Sequence, residues 1–178
     1  MSNYVYIATS IDGYIAKKDG DISWLMEVPN SEGNDFGYSK FIEKIDAIIM
    51  GRKTFEKVLT FGDWVYSKKV FVLSNTLSQV PEKLLGKVEF KKGEVENIIE
   101  ELNKKGYKNL YIDGGKTIQS FLKKDLIDEM IITRIPIILG NGISLFGEME
   151  KEIKFDHIET EVLCDFLVKT TYQKRVKN

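Results

Sequence analysis

The stretch AIIMGRKTFEKV, residues 47–58, sets an uninterrupted apolar run directly before a glycine, two cations and a threonine. A continuous apolar run is typical of a strand that is covered on both faces of a sheet. The residues after Gly51 have a helical pattern, so residues 51–54 mark the point where a strand ends and a helix begins. The first turn of a helix has free N–H groups and a partial positive charge, which attract phosphate. The stretch therefore predicts either a phosphate-binding junction or an ordinary turn with solvated cations.

Strand and helix patterns alternate along the rest of the chain. Strand-like runs occupy residues 4–10, 46–51, 69–75, 109–115 and 128–139, and a closing pair lies within 155–173. Helical spacing of apolar residues occurs at 35–45, 94–106 and 116–125. This order indicates an α/β sandwich whose sheet is mostly parallel, with an antiparallel C-terminal edge. Ligands of such sheets bind outside the carboxyl ends of the strands.

Two more strand ends have residues that suit an anionic ligand. The stretch IDGGKTIQSF, residues 112–121, sets a glycine pair before a helix, and VLSNT, residues 72–76, ends a strand with Ser74 and Asn75. Each could also be a simple turn, but three such ends in one sheet favour a ligand with several phosphates, such as a dinucleotide. The chain has neither the G-x-G-x-x-G fingerprint after its first strand nor a G-x-x-x-x-G-K-[ST] loop. A bound nucleotide would therefore need another architecture.

Composition narrows the class of protein. The 178 residues are enough for one domain with a core, and 26 basic against 27 acidic residues give a net charge of −1. This balance does not favour nucleic acid or an anionic membrane as a partner. No apolar run approaches the roughly 18–20 residues that span a bilayer. One cysteine, one histidine and the lack of an export signal predict a cytoplasmic protein without a zinc site.

Several motifs, in order, resemble the dihydrofolate reductase superfamily. They are SIDGYIA, DGDISWL, AIIMGRKTFE, FVLSN and YIDGGKTIQSFL, followed by LIDEMIITRIPIILGNGISLF. The resemblance is strongest to the reductase domain of riboflavin biosynthesis and its stand-alone relatives, and it covers residues 1–178 as a single domain. It implies a dihydrofolate reductase-like three-layer sandwich with an eight-stranded sheet, and NADPH bound across the strand ends. It also implies a small heterocyclic substrate, either pterin-like or an aminopyrimidine such as 5-amino-6-(5-phosphoribosylamino)uracil.

The resemblance assigns the cofactor's adenosine phosphates to the strand ends at residues 51–54 and 72–76. Arg52 and Ser74 would face the 2′-phosphate, which implies a preference for NADPH over NADH. The other residues implied on this side are Gly51, Lys53, Thr54 and Asn75.

The glycine pair and the first strand would hold the rest of the cofactor. The family often joins Gly114 and Gly115 by a cis peptide, which is costly for a non-proline bond. Their helix would cradle the pyrophosphate with Lys116, Thr117 and Ile118. Ala8 and Ile15 match positions that touch the nicotinamide, and residues 12–24 match the mobile loop over the active site.

A reductase of this family needs an acid close to the substrate, and Asp35 matches that position. Asp35 falls on the apolar stripe of residues 35–45, so we expect its carboxylate to be buried and its pKa raised. It could instead cap the helix, and Glu27 or Glu32 could replace it. Trp24 is either close to the reacting ring or a core aromatic, and Thr133 matches a substrate-binding threonine.

Two other classes of function remain open at this point. The zinc deaminase signatures H-x-E and P-C-x-x-C, which usually accompany the riboflavin-pathway reductase, are absent. The alternatives to a reductase are an NADP(H)-binding module without catalysis and a structural or interaction protein. Relatives of the riboflavin type often form homodimers, and the apolar stretch IPIILG, residues 135–140, is the expected contact.

Overall fold

A computed structural model describes residues 1–30 and 33–176 of the protein, which form five α-helices, a short 3-10 helix (Glu82–Leu84) and ten strands. The strands are β1 (Ser2–Thr9), β2 (Tyr14–Ala16), β3 (Ala47–Gly51), β4 (Lys69–Leu73), β5 (Val88–Lys91), β6 (Asn109–Asp113), β7 (Glu129–Arg134), β8 (Ile143–Ser144), β9 (Phe155–Leu163) and β10 (Leu167–Lys174). The helices are α1 (Ser23–Met26), α2 (Tyr38–Glu43), α3 (Arg52–Leu59), α4 (Val95–Lys104) and α5 (Gly115–Lys123).

Eight of these strands make one sheet in the order β5-β4-β3-β6-β1-β7-β10-β9. The strands from β5 to β7 pair in parallel, while β10 is antiparallel to both β7 and β9. The mostly parallel sheet with an antiparallel C-terminal edge is therefore confirmed. A second, two-stranded sheet joins β2 to β8.

Two apolar cores cover opposite faces of the large sheet. One core packs α4 and α5 against it, with Phe121 fully buried, and the other packs α2 and α3 through Phe41 and Phe55. Successive residues of β6 alternate between them, since Ile112 belongs to the first core and Tyr111 to the second. Burying each large apolar side chain contributes roughly 1.5–3 kcal/mol, so both faces hold the strand ends in fixed positions.

The predicted run at 128–139 is shorter as a strand, because β7 ends at Arg134. The Ile135 amide still donates to the Thr9 carbonyl at 2.8 Å, but the Ile137 amide turns back to the Ile135 carbonyl, also at 2.8 Å. Pro136 lies between them and has no N–H for a ladder. The chain therefore leaves the sheet at the carboxyl end of β7, next to the end of β1.

The expected dimer contact, residues 135–140, is partly buried and partly exposed. Ile135 is buried, and Ile138, at 69% exposure, is the largely exposed aliphatic side chain of residues 135–140. The C-terminal hairpin exposes Ile158 at 55% and Val162 at 65%. The homodimer stays a prediction. None of the helices in the described residues has the length and apolar character that crossing a bilayer requires.

Candidate functional site

The two predicted glycine junctions lie side by side and interlock. β3 and β6 pair in parallel, with Met50 opposite Asp113, so Gly51 and Gly114 follow at the same edge of the sheet. A Cβ added at Gly114 would overlap the Thr54 side chain, and one added at Gly51 would lie 2.9 Å from Thr117 Oγ1. The threonine of each helix thus fills the space that the other junction's glycine leaves open.

The glycine pair makes its turn with a trans peptide, so the expected cis bond is wrong. The described residues contain no cis peptide bond. Gly114 instead adopts φ +88°, a conformation that L side chains rarely reach, and this directs the chain into α5. Gly115 lies directly beneath the Ile15 side chain, because an added Cβ would be 2.6 Å from Ile15 Cδ1.

The helices that follow both glycines begin without side-chain caps. Neither α3 nor α5 has a side-chain hydrogen bond at its N-cap or an acidic residue in its first turn. Lys53 and Lys116 lie in these first turns and are exposed. Two helix N-termini, each with free amide N–H groups and a lysine, therefore point at one region beyond the sheet.

Arg52 contacts the turn after β4, the third predicted strand end. Its Nη1 donates to Thr76 Oγ1 at 3.1 Å, while its Nε lies 3.6 Å from Glu56. Ser74 is buried, and its hydroxyl accepts from the amides of Thr76 at 3.2 Å and Leu77 at 3.0 Å. Ser74 therefore shapes the turn, and Thr76 supplies the hydroxyl next to the guanidinium, a partner that the sequence reasoning did not single out. Asn75 is exposed in the same turn.

A third apolar cluster surrounds the end of β1. Ala8 pairs with Thr133 across the sheet, and Thr133 is buried. Trp24 is 5% exposed and belongs to the same cluster as Ala8. It is therefore a core residue that also lies close to the end of β1. Its indole Nε1–H is buried and has no acceptor among the described residues. An unpaired buried donor costs free energy, which makes this atom a candidate for a ligand contact.

The expected environment of Asp35 is wrong, because its carboxylate is exposed and not in an apolar pocket. Phe36 and Gly37 take left-handed backbone conformations, with φ 56° and 92°, and α2 therefore begins only at Tyr38. The carboxylate accepts the amides of Gly37 at 2.9 Å and Ser39 at 2.8 Å. The hydrogen bonds from Ser39 and Gly37 lower its pKa to about 2, opposite to the predicted direction.

Of the two alternative acids, one lies within the described residues, and it is not buried. Glu27 is exposed at the end of α1. Glu32 lies outside the described residues.

The carboxylate that does lie in a low-dielectric position is Asp113, at the end of β6. Tyr66 donates its hydroxyl to Asp113 Oδ2 at 2.8 Å. Burial raises the pKa of Asp113, and the hydrogen bond from Tyr66 acts in the opposite direction. The sequence reasoning included Asp113 only as part of the IDGG turn. Its position one residue before a glycine pair, directly after the apolar run at residues 110–112, was the available signal.

Comparison with known proteins relates this geometry to a family. The model of the RibD C-terminal domain matches residues 4–168. The chain belongs to the RibD C-terminal domain family.

Two relatives are similar to the chain in sequence, and a third protein is similar to it in fold. A crystal structure of a Shewanella sp. PV-4 protein, named as a candidate for riboflavin biosynthesis, is 53% identical with a TM-score of 0.96, covering 99% of this chain and 100% of that one. The uncharacterized protein YwjB of Bacillus subtilis is 40% identical over 153 residues, 84% of this chain and 85% of its own. Dihydrofolate reductase from Enterococcus faecalis, complexed with NADP(H), is 19% identical with a TM-score of 0.68, covering 98% and 97%.

The resemblance to the dihydrofolate reductase superfamily is thus confirmed at the level of fold and family. The segment predicted to be the active-site loop, residues 12–24, is partly a strand. β2 pairs with β8, and the Leu145 amide donates to the Gly13 carbonyl at 3.0 Å. Asp12 also links this segment to residues 139–140, because its carboxylate accepts hydrogen bonds from the amides of Leu139 at 3.1 Å and Gly140 at 2.7 Å. The loop is therefore anchored beside Gly115, where Ile15 lies.

Proposed function

We propose that the protein is an NADPH-dependent reductase that transfers hydride to a pterin-like or aminopyrimidine heterocycle. The observation that carries this proposal is the pair of uncapped helix N-termini at the interlocked ends of β3 and β6, with Arg52 and Thr76 beside them. Family membership supports a reductase, and a protein of the same fold is complexed with NADP(H).

The donors at these strand ends fit the phosphates of such a cofactor. The free amides of the two helices suit a pyrophosphate, since each helix N-terminus has a partial positive charge and neither first turn contains an acidic residue. Arg52 is half-exposed and can donate two parallel hydrogen bonds to a 2′-phosphate. Lys53, Lys116 and the hydroxyl of Thr76 add donors around the same region.

The nicotinamide side is formed by the end of β1 and the loop over α5. Ala8 offers a small surface there, and Ile15 covers Gly115. When bound, the cofactor supplies the hydride. The protein's part is to orient the substrate, to exclude water with Trp24 and its apolar neighbours, and to hold a polar contact through Thr133.

The role proposed for Asp35 changes with its environment. A carboxylate with a pKa of about 2 is ionised at neutral pH and is a poor proton donor. We therefore propose that Asp35 fixes the start of α2 and has no direct part in proton transfer. Its effect on the substrate would come from the position of that helix.

The test is NADPH oxidation with a panel of dihydrofolate, dihydropterins and the riboflavin-pathway aminouracil. Turnover of one of them, with a preference for NADPH over NADH, is the expected result. NADPH binding without turnover of any panel member would favour the alternative, a binding module without catalysis. Absence of NADPH binding would overturn the proposal.

A further inference from the structure

A cavity of about 170 Å³ lies at the edge of the sheet opposite to the glycine junctions. Its lining includes Val58 and Leu59 in the last turn of α3, and Lys87, which directly precedes β5. Because β3, β4 and β5 are parallel, the residue before β5 lies at the amino ends of the strands. α3 begins at the carboxyl end of β3 and has eight residues, so it separates the cavity from the junctions by about 12 Å.

Part of the lining is a preformed apolar and aromatic surface. Leu84 of the 3-10 helix and Val58 are buried. Trp64 comes from the segment between α3 and β4, and its ring makes edge contacts with Phe55 at 6.0 Å and with Tyr66 at 5.4 Å between centroids. These contacts fix the indole in place before any ligand arrives, so an aromatic ring could pack on it without reorganising the protein.

Trp64 also has a polar atom without a partner. Its indole Nε1–H is buried and has no acceptor among the described residues. An unpaired buried donor costs free energy. Because the ring of Trp64 borders the cavity, an acceptor atom delivered through the cavity would remove that cost.

The charged side chains around the cavity favour an anion. Lys83 and Lys87 line it, are exposed, and form no ion pair with any described residue. Asp63 is the acidic residue of the lining. Residues 57–87 contain five lysines and two acidic residues, a net charge of +3 in a chain whose net charge is −1. A local excess of positive charge of this kind raises the concentration of anions at the surface.

Apolar side chains next to the cavity are exposed as well. Phe61 is 43% exposed and Leu85 is 64% exposed. Each is the sequence neighbour of a lining residue, Gly62 and Leu84 respectively. Exposed apolar groups beside a concave, partly aromatic surface are typical of binding sites.

The volume of the cavity limits the ligand to one ring. An apolar cavity of about 150 Å³ holds one benzene molecule, so 170 Å³ accommodates a single six-membered ring with one small substituent. The anionic group must therefore be compact, and this favours a carboxylate over a phosphate.

We propose that this cavity is a second binding site, which takes a single-ring aromatic carboxylate. The ring packs on Trp64 and Leu84, and the carboxylate pairs with Lys83 and Lys87. The site shares no residue with the strand ends proposed to hold NADPH, so it does not depend on the proposed reductase activity.

The experiment is a titration with benzoate, with and without saturating NADP⁺, followed by the indole N–H signals in NMR spectra. The chain has two tryptophans, and Trp24→Phe assigns their signals by removing one of them. We expect a Kd on the order of 1 mM and a shift of the Trp64 signal, while the Trp24 signal stays in place. If no signal moves, if only the Trp24 signal moves, or if NADP⁺ displaces benzoate, the inference is wrong.

Charge variants test the two lysines by the sign of the effect. The double variant Lys83→Gln, Lys87→Gln should weaken benzoate about 5- to 30-fold, as expected for two exposed charge pairs, and should leave the neutral analogue benzamide unchanged. Asp63→Asn removes the negative charge of the lining and should strengthen benzoate. Lys104→Gln on α4, 75% exposed, is the matched control and should change neither probe. Wild-type benzoate affinity in the double variant, or equal losses for benzoate and benzamide, would overturn the inference.

Discussion

Replacing Arg52 by alanine should change the choice of cofactor while leaving the fold intact. The side chain makes one hydrogen bond, to Thr76 at 3.1 Å, and a longer contact with Glu56 at 3.6 Å, and it is 43% exposed. Exposed pairs of this kind contribute about 0–1 kcal/mol, so the free energy of unfolding should barely change.

The effect on NADPH should be much larger than the effect on stability. Two hydrogen bonds to a charged phosphate would be lost, about 1.5–3 kcal/mol or roughly 10- to 150-fold in affinity. NADH lacks the 2′-phosphate, so its affinity should change far less. Isothermal titration calorimetry with both cofactors measures the difference, and Lys104→Ala on α4, 75% exposed, is the matched control. Equal losses for NADPH and NADH would refute the assignment of Arg52.

Three further substitutions test other parts of the site. Gly114→Ala should weaken NADPH binding and lower the melting temperature, because a Cβ overlaps Thr54 and φ is +88°; unchanged affinity in a folded variant would mean that the pair is merely a turn. Asp35→Asn should remove acid-dependent stability. The folded pKa of Asp35, about 2, lies below its ordinary 3.8, so the wild-type contribution is present above pH 3.8 and is lost as the pH falls towards 2; identical acid unfolding curves would contradict this. Trp24→Phe removes an indole N–H that has no acceptor within the described residues, so it should break no hydrogen bond of the fold. We expect steady-state kinetics to show a lower kcat with NADPH affinity unchanged, because Trp24 is proposed to help exclude water from the substrate. An unchanged kcat would mean that Trp24 is a core residue only.

The strand-to-helix junctions were predictable because their signals are local. A buried apolar run followed by glycine and a helical pattern identifies β3 with α3 and β6 with α5 without any knowledge of distant residues. Their location at the same edge of the sheet also followed from the rule for open α/β sheets. The interlock of Thr54 with Gly114, by contrast, depends on strand order, which periodicity does not specify.

The environment of Asp35 was predicted wrongly because side-chain direction depends on two backbone angles that the sequence pattern does not specify. The apolar stripe of residues 35–45 implied a helix beginning at Asp35, but the left-handed conformations of Phe36 and Gly37 delay it. Asp35 is therefore turned towards the amides of its own helix. Asp113 was passed over for a related reason, since its partner Tyr66 is 47 residues away in sequence.

The most direct test of the account is a calorimetric titration of the wild-type protein with NADPH and with NADH. The account predicts one binding site per chain and tighter binding of NADPH, because Arg52 and Thr76 lie beside the two uncapped helix N-termini. No heat of binding with either cofactor, or equal affinity for both, would contradict it.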